Sequence, residues 1–520
     1  MSASEAPRAG RREWIGLAVI ALPCLLYSMD LTVLNLALPS LSKDLAPSSS
    51  QLLWIVDIYG FLVAGMLITM GTLGDRIGRR RLLLIGAAAF GVASAIAAFS
   101  TSAEMLIAMR ALLGLAGATL APSTLSLIRN MFDDPRERTF AIGVWISSFS
   151  AGAAIGPVLG GVLLEFFWWG SVFLIGVPVM VLLLVVGPSL LPEYRDPKAG
   201  RLDVASAALS LGAVLATIYG LKRIAEDGFD WWRALFIAVG AAVGLVFLRR
   251  QTTLADPMID LRLFRNRAFS AALATYALGT FVAFGVFLFI AQHMQLVLGM
   301  GPMEAGLWTV PFAGAFIVGS MLTPMIVRRI RPGYLMAAGL GLAAIGFVLL
   351  TQVDETSGVG LLVTGFVVYS LGLAPVFTLA TDLVVGSAPP ERAGSASAIS
   401  ETASEFGGAL GIAILGSIGT AVYRGEITDS LPAGITPATA EAARETLGGA
   451  TALAARMPEP LGAALLGTAR EAFAQSFEVV AAVCASLLVA LAIAAAALFR
   501  REGAHVERER QAEPAALPAR

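Results

Sequence analysis

From Gln51 to Ser100 the chain reads QLLWIVDIYGFLVAGMLITMGTLGDRIGRRRLLLIGAAAFGVASAIAAFS. Two mostly apolar runs flank one short turn of glycines and arginines, and each run has the roughly 20 residues an α-helix needs to cross a bilayer. The stretch therefore predicts a transmembrane hairpin whose turn gathers Asp75, Arg76, Arg79, Arg80 and Arg81 at one membrane face.

The same reading extends along the chain. Fourteen segments are predicted to span, over 14–41, 51–73, 82–100, 104–129, 139–163, 168–190, 204–222, 233–250, 269–291, 303–326, 333–351, 359–381, 394–421 and 475–499. Composition agrees: 57% of the 520 residues are hydrophobic and 14% charged, where soluble domains carry about 25% charged residues. Mean hydropathy is +0.78. The fold class expected is all-α and polytopic, and a soluble enzyme is excluded.

Other chemistries fall away by inspection. None of Lys43, Lys198 and Lys222 follows a glycine, so no phosphate-binding loop is present. His293 and His505 are too far apart for a paired-histidine zinc motif, and Cys24 and Cys484 sit in apolar stretches that suit small core hydrophobes. We expect no cofactor and no metal. A net charge of −1 offers no field to gather nucleic acid. The first apolar segment is too long for a signal peptide and lacks its cleavage site, so it reads as a retained helix.

An even number of spans puts both termini on one side. Of 36 lysines and arginines, 27 lie on the side of the termini and eight on the other, which predicts cytoplasmic termini. The organisation expected is a tail over 1–13, a six-helix bundle over 14–190, two inserted helices over 191–250, bundle helices 9–13 over 251–421, an outer segment over 422–474, helix 14 over 475–499 and a tail over 500–520. The outer segment reads either as a helical hairpin broken around Pro458 and Pro460 or as a plain loop.

The chain also echoes itself. Pro135-Arg-Glu-Arg138 enters span 5 and Pro389-Pro-Glu-Arg392 enters span 13, while Gly71-x-x-x-Asp75 has a degraded partner in Gly319-x-x-x-Thr323. Offsets of 254 and 248 residues map spans 2–5 onto 10–13. Two six-helix halves with spans 7 and 8 inserted between them are a transporter architecture.

Four features carry mechanism. In the turn, glycines at 71, 74 and 78 allow tight approach, and Asp75 can accept from amides at the start of span 3. Read as residues alone, the turn is either a topological anchor or a latch whose ion pairs form in one conformation. Span 5 carries Gly152, Gly156, Pro157, Gly160 and Gly161, a smooth face for close helix packing with a proline bend. Span 4 carries Arg110 above Gly114 and Gly117, and an arginine there must find an interior partner. Finally, Asp30, Asp57, Glu401 and Glu405 are carboxylates inside spans, suited to load protons or to face a cation. Asp382, at the end of span 12, reads as a solvated helix end. Aromatic residues cluster nearby: Tyr27, Trp54, Tyr59 and Phe61 early, and Tyr276, Phe281, Phe284, Phe287 and Phe289 in span 9.

GTLGDRIGRRR resembles the signature loop of the major facilitator superfamily. Arg110 with Gly114 and Gly117 resembles its helix-4 motif associated with proton coupling, and Gly152 to Gly161 its helix-5 antiporter motif. The run from Asp30 to Pro39 is similar to a motif of the fourteen-helix drug:proton antiporters. Trp54-Ile-Val-Asp57 and Ser400-Glu401-Thr-Ala-Ser-Glu405 look like exporters of quaternary ammonium compounds, acriflavine-type dyes and methyl viologen. In that group the matching carboxylates serve protonation and cation recognition. One departure is WGSVFLIGVP, Trp169 to Pro178, where the family has WRWIFLINVP. The resemblance implies a proton-coupled exporter of lipophilic cationic small molecules in a bacterial inner membrane, with protons and the lipid bilayer as partners; we expect a monomer. Keeping the fold and changing the cargo to a neutral or anionic metabolite, lipid or antibiotic is the alternative, and a non-transporting membrane sensor is a more distant one.

Overall fold

The structure is a computed structural model and describes residues 8–196, 200, 202–354, 357–432 and 434–512. Among the described residues there are helices and no strands. The helices are α1 (Arg11–Leu45), α2 (Ser49–Ile77), α3 (Arg79–Ala98), α4 (Ala103–Met131), α5 (Pro135–Phe166), α6 (Ser171–Leu190), α7 (Val204–Asp227), α8 (Trp231–Thr253), α9 (Arg267–Val297), α10 (Met303–Ile326), α11 (Pro332–Leu350), α12 (Val359–Gly386) and α13 (Ala393–Asp429). Two short helices follow, α14 (Pro437–Glu445) and α15 (Leu447–Ala454), and the long α16 (Glu459–Ala512) ends the described chain. Fourteen of these, α1 to α13 and α16, are long and apolar enough to span.

Local chemistry sets the boundaries. Ser48 caps α2 by accepting from the Gln51 amide, while its own amide donates to the Gln51 side chain. Ser102 caps α4 by accepting from the Met105 amide, and Asn266 caps α9 by accepting from the Ala268 amide. Three spans break internally, near Ala118, Ile175 and Thr309. In each, a proline (Pro122, Pro178 or Pro311) lacks the N–H that would bond the carbonyl four residues earlier.

Several helices run past their expected ends, and α13 and the last helix depart furthest. The α13 helix runs on to Asp429, since no proline or glycine run interrupts it before Ser430-Leu431-Pro432. The last helix starts at Glu459, because Pro460 falls in its first turn, where proline is tolerated, and the residues after it are good helix formers. The region between holds α14 and α15 against the bundle: the Tyr423 hydroxyl donates to the Ala443 carbonyl, and Leu447 and Ala450 are buried. Of the tail over 500–520, residues 513–520 lie outside the described residues, as do residues 1–7 and Lys198.

Packing reveals the duplication. Under the sequence repeat, the pair α1–α5 maps onto α9–α13, α2–α4 onto α10–α12, and α3–α6 onto α11–α16, and all six pairs pack together. The halves meet through α2 against α13 and α5 against α10, two contacts that the same mapping interchanges. Helix α7 lies along the α2–α13 seam, and α8 packs on α7.

Candidate functional site

Mid-bundle, α1, α2 and α4 assemble a charged cluster. Arg110 is 1% exposed, and its guanidinium donates to the Asp30 carboxylate at 2.5 Å and to the Ile55 carbonyl at 3.1 Å. It also lies 4.6 Å from the centre of the Tyr59 ring. Closeness of α4 to α2 makes this possible: a Cβ on Gly114 would meet the Tyr59 carbonyl oxygen at 2.6 Å. A small cavity lined by Phe90, Ser94 and Phe173 reaches Asp30 from the side of α3 and α6.

The other half supplies Glu405. Its carboxylate accepts from the Tyr27 hydroxyl at 3.3 Å, so α1 and α13 are bridged at the same level of the bundle. Glu401 lies one turn earlier on α13 with its Oε1 buried and unbonded within the protein. Trp145, Phe149, Tyr27 and Tyr59 form a continuous run of rings, with neighbouring centres 4.8, 5.7 and 6.1 Å apart. Trp145 and Phe149 escaped sequence reasoning, whereas Phe284 and Phe287 of α9 are exposed and are not in this run of rings.

Asp57 stands apart from this cluster. It is ion-paired with Lys222 of α7. In the sequence reading Lys222 is the last residue of span 7 and its charge is counted with the connection that follows, but α7 continues to Asp227 and carries the lysine inside the helix. The spacing of Tyr219 and Lys222, three apart on one face, was the available signal.

The turn between α2 and α3 joins the halves. Asp75 lies on α2, and it accepts from the amides of Gly394 at 3.0 Å and Ser395 at 2.9 Å, in the first turn of α13. This corrects the expectation that it would serve the start of α3. That role falls to Glu193, which accepts from the Arg80 and Arg81 amides, both at 3.2 Å. Gly71 and Gly394 allow the approach, since a Cβ on Gly71 would lie 2.5 Å from the Gly394 carbonyl oxygen. Gly78 has φ +110, the left-handed region that a side chain disfavours, and its missing Cβ makes room for Glu193. Arg79 donates to Asp75 at 2.9 Å and to the Pro390 carbonyl at 2.7 Å, and it stacks over Tyr194. Tyr194 in turn donates to Glu391 at 3.2 Å. Burial, then the neighbouring Glu391 carboxylate, pushes the Tyr194 phenol above its ordinary range.

Two further links cross at this end. Asp382 is paired with Arg138 at 2.8 Å and accepts from the Thr139 hydroxyl at 2.5 Å. It is therefore no solvated helix end: α12 continues to Gly386 and holds it one turn inside. The connector between α8 and α9 lies across the α2–α13 seam. Its Asp256 pairs with Arg76 of α2 at 2.8 Å and with Arg392, at the start of α13, at 3.3 Å. Between them, the buried Met258 presents a carbonyl that accepts from Ser395 at 2.7 Å and from Thr72 at 3.4 Å.

The α5 glycines pack on α1. A Cβ on Gly152 would run into the Leu25 carbonyl oxygen, and one on Gly156 would meet Met29 at 2.9 Å, one residue before Asp30. Gly160 is buried, while Gly161 faces open space and takes no part in the packing. The side chain of Pro157 lies outside the described residues.

The chain is similar to known proteins over nearly its whole length. The Major Facilitator Superfamily family model matches residues 20–412. The multidrug efflux pump LfrA of Mycolicibacterium smegmatis is 45% identical over 95% of this chain and 98% of its own. The methyl viologen resistance protein SmvA of Salmonella typhimurium is 36% identical over 93% and 97%. In fold, the crystal structure of the human organic anion transporter MFSD10 superposes with a TM-score of 0.60 over 92% of this chain and 99% of that one, at 17% identity. With fourteen spanning helices in two duplicated halves, the chain belongs to the Major Facilitator Superfamily, in its branch of multidrug exporters.

Proposed function

We propose that this chain is a proton-coupled antiporter that exports hydrophobic cations across a bacterial inner membrane, as a monomer with both termini in the cytoplasm. The observation that carries the reading is the mid-bundle cluster, where Asp30 and Arg110 of one half face Glu405 of the other through Tyr27 and Tyr59. Carboxylates set among aromatic rings suit a flat or quaternary cation, whose charge is met by the acids and whose faces are met by the rings.

The cycle follows from competition. A cation from the cytoplasmic side binds the ionised acids. Protons arriving from the outer side neutralise those acids and weaken the hold on the cation, which leaves outward. The acids then release their protons inward as the halves reorient. The Asp75 latch stabilises one of the two arrangements, and its breaking permits the other.

Reconstituted vesicles test this. Ethidium or methyl viologen should move against its gradient when a pH gradient is imposed and should stop when it is collapsed. Export without a pH gradient would remove the proton from the mechanism. Export of neutral or anionic compounds in preference to cations would favour the alternative cargo. Protease access to a C-terminal epitope in right-side-out spheroplasts would contradict the orientation.

A further inference from the structure

Helices α7 and α8 have no counterpart in the duplicated halves, yet α7 lies on the seam where the halves meet. At the end of that seam away from the latch, the Lys222 ammonium is paired with Asp57 and sits 5.6 Å from the centre of the Phe61 ring. Phe61 has Trp54 edge-on at 6.4 Å and Tyr219 of α7 edge-on at 6.3 Å. Phe406 of α13 packs on the same small apolar cluster. Asp57 is 12% exposed and Lys222 34% exposed, so the lysine reaches a sheltered carboxylate from the open side.

An ammonium held against a carboxylate and near an aromatic ring meets the recognition chemistry that an organic cation requires. We infer that the α2–α7–α13 seam is a cation site and that Lys222 is its tethered, displaceable occupant. An organic monocation entering the seam takes the place of the lysine on Asp57, and the flexible four-carbon stem swings the ammonium outward. A partly exposed pair of this kind is weak enough to exchange. Lys222 then sets specificity: a cargo must outcompete a primary ammonium at high local concentration, which favours flat or aromatic cations that gain from Trp54 and Phe61 over small hydrophilic ones. The inference rests on the reading of the chain as a cation exporter.

Binding of tetraphenylphosphonium to the purified full chain in nanodiscs tests it. If Lys222 occupies Asp57 about nine-tenths of the time, Lys222→Met should tighten binding roughly tenfold. Lys222→Arg, which keeps a tethered cation, should not tighten it. In an Asp57→Asn background, adding Lys222→Met should change nothing. Should Lys222→Met prove unstable, the wild-type chain gives an independent reading. It has three lysines, so labelling by an amine reagent can be assigned by peptide mass spectrometry, and saturating tetraphenylphosphonium should raise labelling of Lys222 severalfold. Unchanged or weaker binding by a folded Lys222→Met, or unchanged Lys222 labelling at saturation, would overturn the inference while leaving cation export standing. A wild-type chain that neither binds nor exports any organic cation would instead sink the export reading on which it rests.

Discussion

The Asp75 carboxylate of one half caps a helix of the other, accepting the Ser395 amide at 2.9 Å in the first turn of α13. Amides there have no partner within their own helix, and the positive end of the helix dipole favours a negative charge. The contact is thus a capping interaction between the two halves, reinforced by Arg79, and the proposed latch role makes it testable. Asp75→Asn keeps the volume and removes the charge. Hydrogen bonds to charged groups are worth roughly 1.5–3 kcal/mol, so the balance between the two arrangements should shift about tenfold or more. Turnover should fall while cation affinity measured in detergent stays near wild type. Loss of affinity with normal exchange, followed by spin-label distances across the latch, would contradict this role.

Asp256 bridges the same helices with weaker means. Its pairs with Arg76 and Arg392 are partly exposed, and such pairs are worth about 1 kcal/mol or less. Asp256→Asn should therefore slow or speed export less than twofold to fivefold, roughly the effect of that energy, and the difference should shrink at high salt. Asp75→Asn should be far less salt-sensitive because its site is buried. Equal salt dependence of the two variants would show that the connector and the latch do not differ in this way.

Arg110 makes three interactions at once that a lysine ammonium cannot reproduce together: the Asp30 pair, the Ile55 carbonyl and the Tyr59 face. Breaking a buried pair from one side costs about 3–5 kcal/mol, because the remaining charge is left unmatched. Asp30→Asn and Arg110→Ala should each lower the melting temperature of the purified protein as well as abolish export. A double Asp30→Asn, Arg110→Gln variant should recover much of the stability and none of the export. Full stability in Asp30→Asn alone would mean that Arg110 finds another anion.

Why these partners escaped the sequence is instructive. Span count, the helix-4 arginine and the duplication are periodic or local features, and they are legible because bilayer thickness and burial cost act on every residue in the same way. Glu193, Asp256 and Asp382 lie far along the chain from the groups they serve, and nothing in their own neighbourhoods marks them. Asp75 shows the limit clearly. Its position next to a helix start suggested a cap on α3, but which helix start it reaches depends on how the halves dock. Lys222 was hidden by a boundary, since a span that ends on the lysine counts its charge with the following connection and not with the helix face it shares with Tyr219.

Asp203 gives a control that lies outside the transport path. Two hydrogen bonds from Arg250, then the Ser206 hydroxyl, hold its carboxyl well below the ordinary range. A depressed value means the clamp between the start of α7 and the end of α8 is fully present above about pH 4 and is lost only in stronger acid. Asp203→Asn should therefore leave the pH profile of export near neutrality unchanged. A displaced profile would place the inserted helices in the proton path.

Glu401 and Glu405 share one face of α13, but they do not share an environment. Tyr27 holds Glu405, while Oε1 of Glu401 is buried without a partner. Two like charges one helical turn apart in a poorly solvated site repel each other, so the two acids are expected to act together. On the proposed function, a monocation would need one negative charge from this pair and a dication both. Glu401→Gln and Glu405→Gln should therefore each reduce export of a dication such as methyl viologen by tenfold or more, about the effect of one lost charge contact. A matched monocation such as ethidium should lose less. The two variants should also differ from each other. Glu405→Gln breaks the tie to α1 and should slow reorientation, whereas Glu401→Gln should act on binding alone. Tyr27→Phe separates the two effects, since it removes the tie and keeps both acids: turnover should drop and the preference between mono- and dication should stay. Equal losses for both cargoes in both glutamine variants, measured across a pH series, would rule out a shared charge at this pair.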